Sequence, residues 1–164
     1  MNNKNIAFLF VSFVLFLFVS CNLDNATDEW RLENQAAYDE IKADSNWKEL
    51  NTEDGPSGIF YRDLTEPGTE IGSEHPIQTA EVVVNYTGRF HNDNIFDSGI
   101  KSTFAVNGVV RGFGTALQHM RVGQKWDVCI PYFLGYGAAG SYPIKPYSTL
   151  FFEIELLQIT QHPK

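Results

Sequence analysis

The chain has 164 residues, a length that suits one domain. Its hydrophobic fraction of 43% and aromatic fraction of 14% exclude a disordered chain and support a packed core. Twenty acidic residues against twelve basic ones give a formal net charge of -8, with no basic cluster anywhere. This excludes nucleic acid as a partner, because phosphate neutralisation needs a basic patch.

Lys4 is the only charge before Asp24, and an apolar run follows it from Ile6 to Val19. The run is short for a membrane span, which needs ~20 residues. It fits the apolar centre of a secretory signal, ~7–15 residues behind a basic start. Residues 1–20 are therefore expected to be a signal peptide. The run closes with Phe18-Val19-Ser20-Cys21, a small residue before a cysteine. This resembles the bacterial lipoprotein cleavage box, with Phe18 where Leu is usual. The resemblance implies that Cys21 becomes a lipidated N-terminus, holding the protein to a membrane by acyl chains. The implied location is the cell envelope, at the outer membrane, on its periplasmic or surface side. An ordinary signal peptide cut nearby, with Cys21 incidental, is the alternative. Cys129 stands in an alternating apolar run and is expected to be a small buried hydrophobe rather than a disulfide partner.

Residues 22–27 are polar and read as a tether. From Asp28 to about Leu50 the spacing of Trp30, Ala37 and Ile41 predicts a helix, with Thr27 or Asp28 as N-cap. The stripe lacks sustained heptads, so the helix is expected to be a linker or to pack on the domain. Docking to a partner is the other use. Residues 21–55 thus form a lipid-anchored tether and helix, separable from the rest of the chain. Asp54-Gly55-Pro56-Ser57-Gly58 is a turn signal and marks the start of a domain over residues 56–164.

Past that turn the pattern is β. Strands are expected over Ile59–Leu64, Glu81–Phe90, Thr103–Val106 and Lys125–Pro131. Val82, Val84 and Tyr86 share one face of the second. A short helix fits Gly112–Met120, where Phe113, Ala116, Leu117 and Met120 share a face. Leu150, Phe152, Ile154 and Leu156 alternate with Phe151, Glu153 and Glu155, as in a half-buried strand. The fold class is α+β: a twisted antiparallel sheet wrapped around one short helix, with an N-terminal helical extension.

Several chemistries lack their parts. The four histidines (His75, His91, His119 and His162) have no metal-ligand spacing, so neither metal nor cofactor is expected. No Gly-x-Ser-x-Gly or Walker loop occurs, and Gly112-Phe113-Gly114 lacks the third glycine of a dinucleotide loop.

Seven segments occur in order. They are Val84-Asn85-Tyr86-Thr87-Gly88, Phe96-Asp97-Ser98, Val109-Val110-Arg111-Gly112-Phe113, Met120-Arg121-Val122-Gly123, Cys129-Ile130-Pro131, Leu134-Gly135-Tyr136-Gly137 and the run from Thr149 to Leu157. Together they resemble the FK506-binding-protein family of peptidyl-prolyl isomerases over roughly residues 76–160. The resemblance implies an apolar pocket between sheet and helix. It implies catalytic roles for Tyr86, Phe96, Asp97 and Tyr136, and substrate binding by Val109, Val110, Phe113, Ile144 and Phe152. Phe113 stands where the family usually has Trp.

The segment between Asp97 and Phe104 is shorter than in well-known eukaryotic members, and Ser102 replaces a rim aromatic. Tyr142 and Tyr147 are the candidates to replace it, and Phe104 is expected in the core. The implied activity is cis/trans isomerisation of X–Pro bonds in exported proteins, with proline-containing segments as substrates and FK506-like macrolides as possible ligands. Two alternatives remain. One is a proline-binding chaperone or adaptor with little turnover; the other is a lipoprotein subunit of an envelope complex.

Overall fold

The computed structural model describes residues 26–161. The expected signal peptide and the expected acylation site at Cys21 lie outside the described residues.

Helix α1 spans residues 26–43. It already includes Ala26, so Thr27 and Asp28 lie within it rather than capping it. Its inward stripe is Trp30 and Asn34, which are buried, and Ala37, Tyr38 and Ile41, which are half-buried, at helical spacing. The helix ends well before Leu50, correcting the longer expectation. The Asp44 carboxylate accepts from the Asn46 backbone N–H at 2.9 Å, and this side-chain turn stops the helix. Strand β1, Lys48–Thr52, comes next.

β1 pairs with β2, Gly55–Asp63. The Asp54–Gly58 turn signal is therefore a hairpin inside the sheet. Next come β3 (Glu81–Arg89), β4 (Ile95–Ala105), helix α2 (Arg111–His119), β5 (Lys125–Ile130) and β6 (Leu150–Gln161). The six strands lie in the order β1-β2-β5-β6-β3-β4, with every neighbouring pair antiparallel. β4 is much longer than the Thr103–Val106 strand expected. Its first half is mostly exposed, Ile95 and Ile100 included, and irregularly paired, which hides its periodicity.

One face of the sheet closes on α2. Val82, Val84, Val128, Ile130, Leu150, Ile154 and Leu156 pack there against Ala116 and Leu117, all fully buried. The alternation expected along β6 holds: Phe151 points to the opposite face. There Trp47, Phe60, Cys129 and Phe151 form a second cluster, covered by Ala37, Tyr38 and Ile41 of α1. The sheet is thus a middle layer between two helices. At ~25 cal/mol per Å² of apolar surface removed from water, each cluster opposes the separation of its layer. Cys129 is free and buried, as expected. Among the described residues no helix is long and apolar enough to cross a membrane.

Candidate functional site

A cavity of about 300 Å³ opens between the sheet and the start of α2. Its walls come from five elements. Tyr86 stands on β3, Phe96, Asp97 and Phe104 on β4, and Phe152 on β6. Gly108, Val109 and Val110 lead into α2, which supplies Phe113; Tyr136 comes from the loop after β5.

Neighbouring residues on a strand normally point to opposite faces. Phe96 and Asp97 nevertheless both reach the cavity. Gly88 pairs with Asp97 while Arg89 pairs with Ile95, so Phe96 is an extra residue without a ladder partner. This β-bulge turns both side chains inward. Gly88 completes the arrangement: a Cβ there would lie 2.7 Å from ring carbons of both Phe96 and Phe152. Only glycine lets the two rings close over the strand.

The rings meet edge to face. Phe113 and Phe152 have centroids 5.0 Å apart at 83°, and Phe96 and Phe152 are 5.5 Å apart at 90°. Tyr86 stands edge-on to Phe104 at 5.4 Å and to Phe113 at 6.1 Å. Phe113 is buried and closes the cavity with an aromatic face.

The polar groups sit at the rim. The Tyr86 hydroxyl donates to Asp97 Oδ2 at 2.8 Å. Burial pushes the Tyr86 phenol up to about 12, helped by the hydrogen bond to Asp97, its charge, and Tyr136. It therefore remains a protonated donor at neutral pH. Tyr136 is 40% exposed at the mouth. Val110 precedes α2 as its N-cap. Among the described residues its backbone N–H has no hydrogen-bond acceptor, as is usual where a helix starts.

All of the expected set reaches this cavity except Ile144. That residue is buried in the core cluster and does not line the cavity, because its loop turns it toward the sheet. The rim expectations also change. Tyr142 is fully exposed and lines nothing here. Tyr147 is held elsewhere, 5.2 Å from the Tyr132 ring with the Arg31 guanidinium 4.8 Å from its own. Phe104 and Gly108 were not legible as cavity residues. Phe104 pairs with Val82, whose face is core, and that pattern alone suits a core residue.

A wider groove on the outer side of β3 has different walls, including Asn85, Lys125, Glu153 and Glu155. Those groups pair among themselves. Asn85 Nδ2 donates to Glu155 at 2.7 Å, and Lys125 Nζ lies 2.8 Å from Glu153. Its apolar lining is Ile100 and Tyr86, without the cluster of phenylalanine rings that the smaller cavity has. Among the described residues no cluster of His, Cys, Asp and Glu suits a metal ion.

The model of the family described as FKBP-type peptidyl-prolyl cis-trans isomerase matches residues 72–157, more than half of the chain. The chain belongs to this family. It is 36% identical over 140 residues to the FKBP-type 22 kDa peptidyl-prolyl cis-trans isomerase of Escherichia coli, covering 82% of this chain and 66% of that one. It is 37% identical over 110 residues to the outer membrane protein MIP of Legionella longbeachae, covering 63% of this chain and 45% of that one. The chain spans less than two thirds of the length of these curated relatives. The solved peptidyl-prolyl cis-trans isomerase of Pseudomonas syringae superposes with a TM-score of 0.71 at 32% identity, over 82% of this chain and 96% of that one. The FKBP-type domain thus accounts for β3 to β6 and α2, while α1, β1 and β2 lie before the matched residues.

Proposed function

We propose that this FKBP-type chain is a peptidyl-prolyl cis-trans isomerase acting on exposed X–Pro segments of exported polypeptides. The observation that carries the reading is the cavity itself: four phenylalanines, two valines and one hydrogen-bonded tyrosine–aspartate pair at its edge.

The X–Pro amide is planar through resonance, and rotation faces ~18–20 kcal/mol. Uncatalysed exchange is slow enough to limit folding. Twisting the C–N bond removes the resonance and makes the unit less polar, so water favours the planar ground state. A prolyl ring seated against Phe96, Phe104, Phe113 and Phe152 loses that water. The twisted state then loses less solvation than the planar one, and the barrier falls by differential binding. Val109 and Val110 close the side wall. The Val110 N–H and the Tyr136 hydroxyl are the donors this reading assigns to the carbonyls flanking the ring, and both residues line the cavity. Asp97 holds Tyr86 in place and stays accessible to the substrate. None of these steps requires a nucleophile or a metal. The same mouth would accept an FK506-like macrolide.

The proposed arrangement along the chain is a signal peptide over 1–20, an acylated Cys21, a tether and helix over 21–55 and the isomerase domain over 56–164. β1 is the exception, because it already belongs to the sheet. The Ser20-Cys21 box and the similarity to an outer membrane protein support placement in the envelope, at the outer membrane. Mass spectrometry of the mature N-terminus tests the anchor; an unacylated terminus other than Cys21 would refute it.

The activity is tested by two-dimensional NMR exchange on a short X–Pro peptide, with the protein lacking residues 1–21. Acceleration that Phe96→Ala suppresses is the expected result. A folded sample giving no acceleration across several X residues would make the chain a proline binder.

A further inference from the structure

We propose that helix α1, which lies outside the residues shared with the family model, is a positioning element for the cavity, with Trp30 as its key residue. The inference rests on reading the cavity as the isomerase site.

Phe96 occupies a bulge, so the sheet ladder does not hold it directly. Its ring is held by other rings. Trp30 meets Phe90 edge-on with centroids 5.4 Å apart, and Phe90 meets Phe96 at 4.9 Å. Phe96 then contacts Phe152 on the cavity wall. An unbroken line of rings runs from α1 to the site. Each such contact stabilises beyond area burial alone and favours one ring orientation.

α1 also holds the loop that carries Tyr136. Trp30 Nε1 donates to Ser148 Oγ at 3.1 Å. The Thr149 backbone N–H donates to Asn34 Oδ1 at 2.8 Å, and Thr149 Oγ1 donates to the Asn34 carbonyl at 3.1 Å. Asn34 Nδ2 donates to the Trp30 carbonyl at 2.7 Å. Asn34 is 1% exposed, so an amide in the apolar stripe is paired on both its oxygen and its nitrogen. Any shift of the helix along the sheet would strand these groups, so the network sets one register. Next to it Tyr147 sits at a φ of 59°, against Arg31, and its N–H donates to the Gly137 carbonyl at 3.0 Å. Gly137 adjoins Tyr136. Two opposite walls of the cavity thus depend on one helix.

The test compares variants of the otherwise intact chain, with kcat and KM taken per folded molecule. Trp30→Ala is expected to lower kcat/KM by about tenfold, since small misplacements of a wall are costly, with the loss mainly in kcat. Trp30→Phe is expected to restore most of it. Phe90→Leu, which breaks the line of rings but leaves the Asn34 network, covers the case in which Trp30→Ala does not fold. Ile41→Ala loosens the far end of the helix, against the second cluster, and is expected to leave kcat/KM unchanged. In a Phe96→Ala background the Trp30 effect is expected to shrink, because the group it acts through is gone. Unchanged kcat/KM in Trp30→Ala or Phe90→Leu, or an equal loss in Ile41→Ala, would reduce α1 to a structural cover and overturn the proposal. If Phe96→Ala alone leaves the rate unchanged, the site reading itself falls and takes this inference with it.

Discussion

The Tyr86 hydroxyl and the Asp97 carboxylate meet at 2.8 Å across the β3–β4 pair, at the mouth of the cavity. Tyr86 opposes Gly99 in the ladder, and a Cβ at Gly99 would lie 2.7 Å from the Tyr86 ring. The tyrosine therefore lies flat over the strand and reaches the carboxylate.

Removing that hydroxyl should affect the rate more than the fold. A hydrogen bond to a charged group contributes ~1.5–3 kcal/mol, and each 1.4 kcal/mol is about tenfold in rate. Because the pair is partly solvated, the expected loss in Tyr86→Phe is the lower end, about tenfold in kcat/KM. The pH profile adds a second check. The phenol is raised from 10.0 to about 12, so its proton is held more tightly in the folded protein. The stability this supplies is complete below 10.0 and is lost as pH rises through 12. With Tyr136→Phe in place, so that Tyr86 carries the phenol under test at the cavity, the rate should stay flat through pH 10. A fall centred on 10, the value of a free tyrosine, would mean the pair does not form in solution.

Gly88→Ala should damage the site from behind. The added methyl collides with Phe96 and Phe152 together, and neither ring has space to withdraw without opening the cavity wall. Overpacking of this kind costs roughly 1–3 kcal/mol. Urea denaturation should show that loss, and peptide exchange should show a larger loss of activity than stability alone explains. Full activity in a destabilised variant would mean the rings move without affecting catalysis.

The parts of this site that could be read from sequence are those with period and order. The β6 alternation, the Phe113–Leu117 face of α2 and the ordered family segments lead to the sheet, the helix and most of the cavity. The remainder is hidden for physical reasons. Phe96 and Asp97 share a destination only because of a bulge, which breaks the two-residue period that pattern reading relies on. Ile144 lies in the long loop between β5 and β6, where a local bridge to Ser141 rather than a sheet ladder sets its orientation, and no two-residue period announces it. β1 has a single buried residue, Leu50, and so carries no alternation to detect. Asn34 is polar, and nothing local reveals that Thr149, more than a hundred residues away, bonds both its side chain and its carbonyl. For that reason α1 reads as separable in the sequence, although it is built into the domain.

The outer face of the sheet carries its own electrostatic test. Asp127 is 4% exposed and takes Arg89 at 3.0 Å and Arg62 at 3.1 Å. Burial raises its carboxyl above the usual 3.8, against the lowering effect of the two guanidinium groups. The folded state thus favours the protonated acid, and this contribution is full below 3.8 and lost as pH rises through the raised value. Arg89→Ala leaves the buried charge with one exposed partner, which costs about 3–5 kcal/mol at pH 7. The gap from wild type should narrow as pH falls and Asp127 takes up its proton. Chemical denaturation at pH 7 and pH 4 measures both, and a gap that widens toward pH 4 would contradict the assignment.

Cys129 reports on whether α1 stays seated. It is the only thiol once residues 1–21 are removed, and it is fully buried beneath Ala37, Tyr38 and Ile41. Burial pushes the thiol well above its ordinary range, the Asp127 charge pushes the same way, and Arg89 opposes them. Raising the pH to 9 should therefore not by itself make it reactive. Labelling requires the helix to lift, after which the thiol titrates near the ordinary ~8.5. Tyr38→Ala removes a ring 5.8 Å from Phe60 and a 2.9 Å hydrogen bond to the Gly58 carbonyl. It should speed labelling by a thiol reagent at least tenfold, while urea denaturation shows a loss of about 1–3 kcal/mol. Rapid labelling of the unaltered protein at pH 7 would mean α1 detaches readily, and the sheet would then have to hold its outer cluster without it.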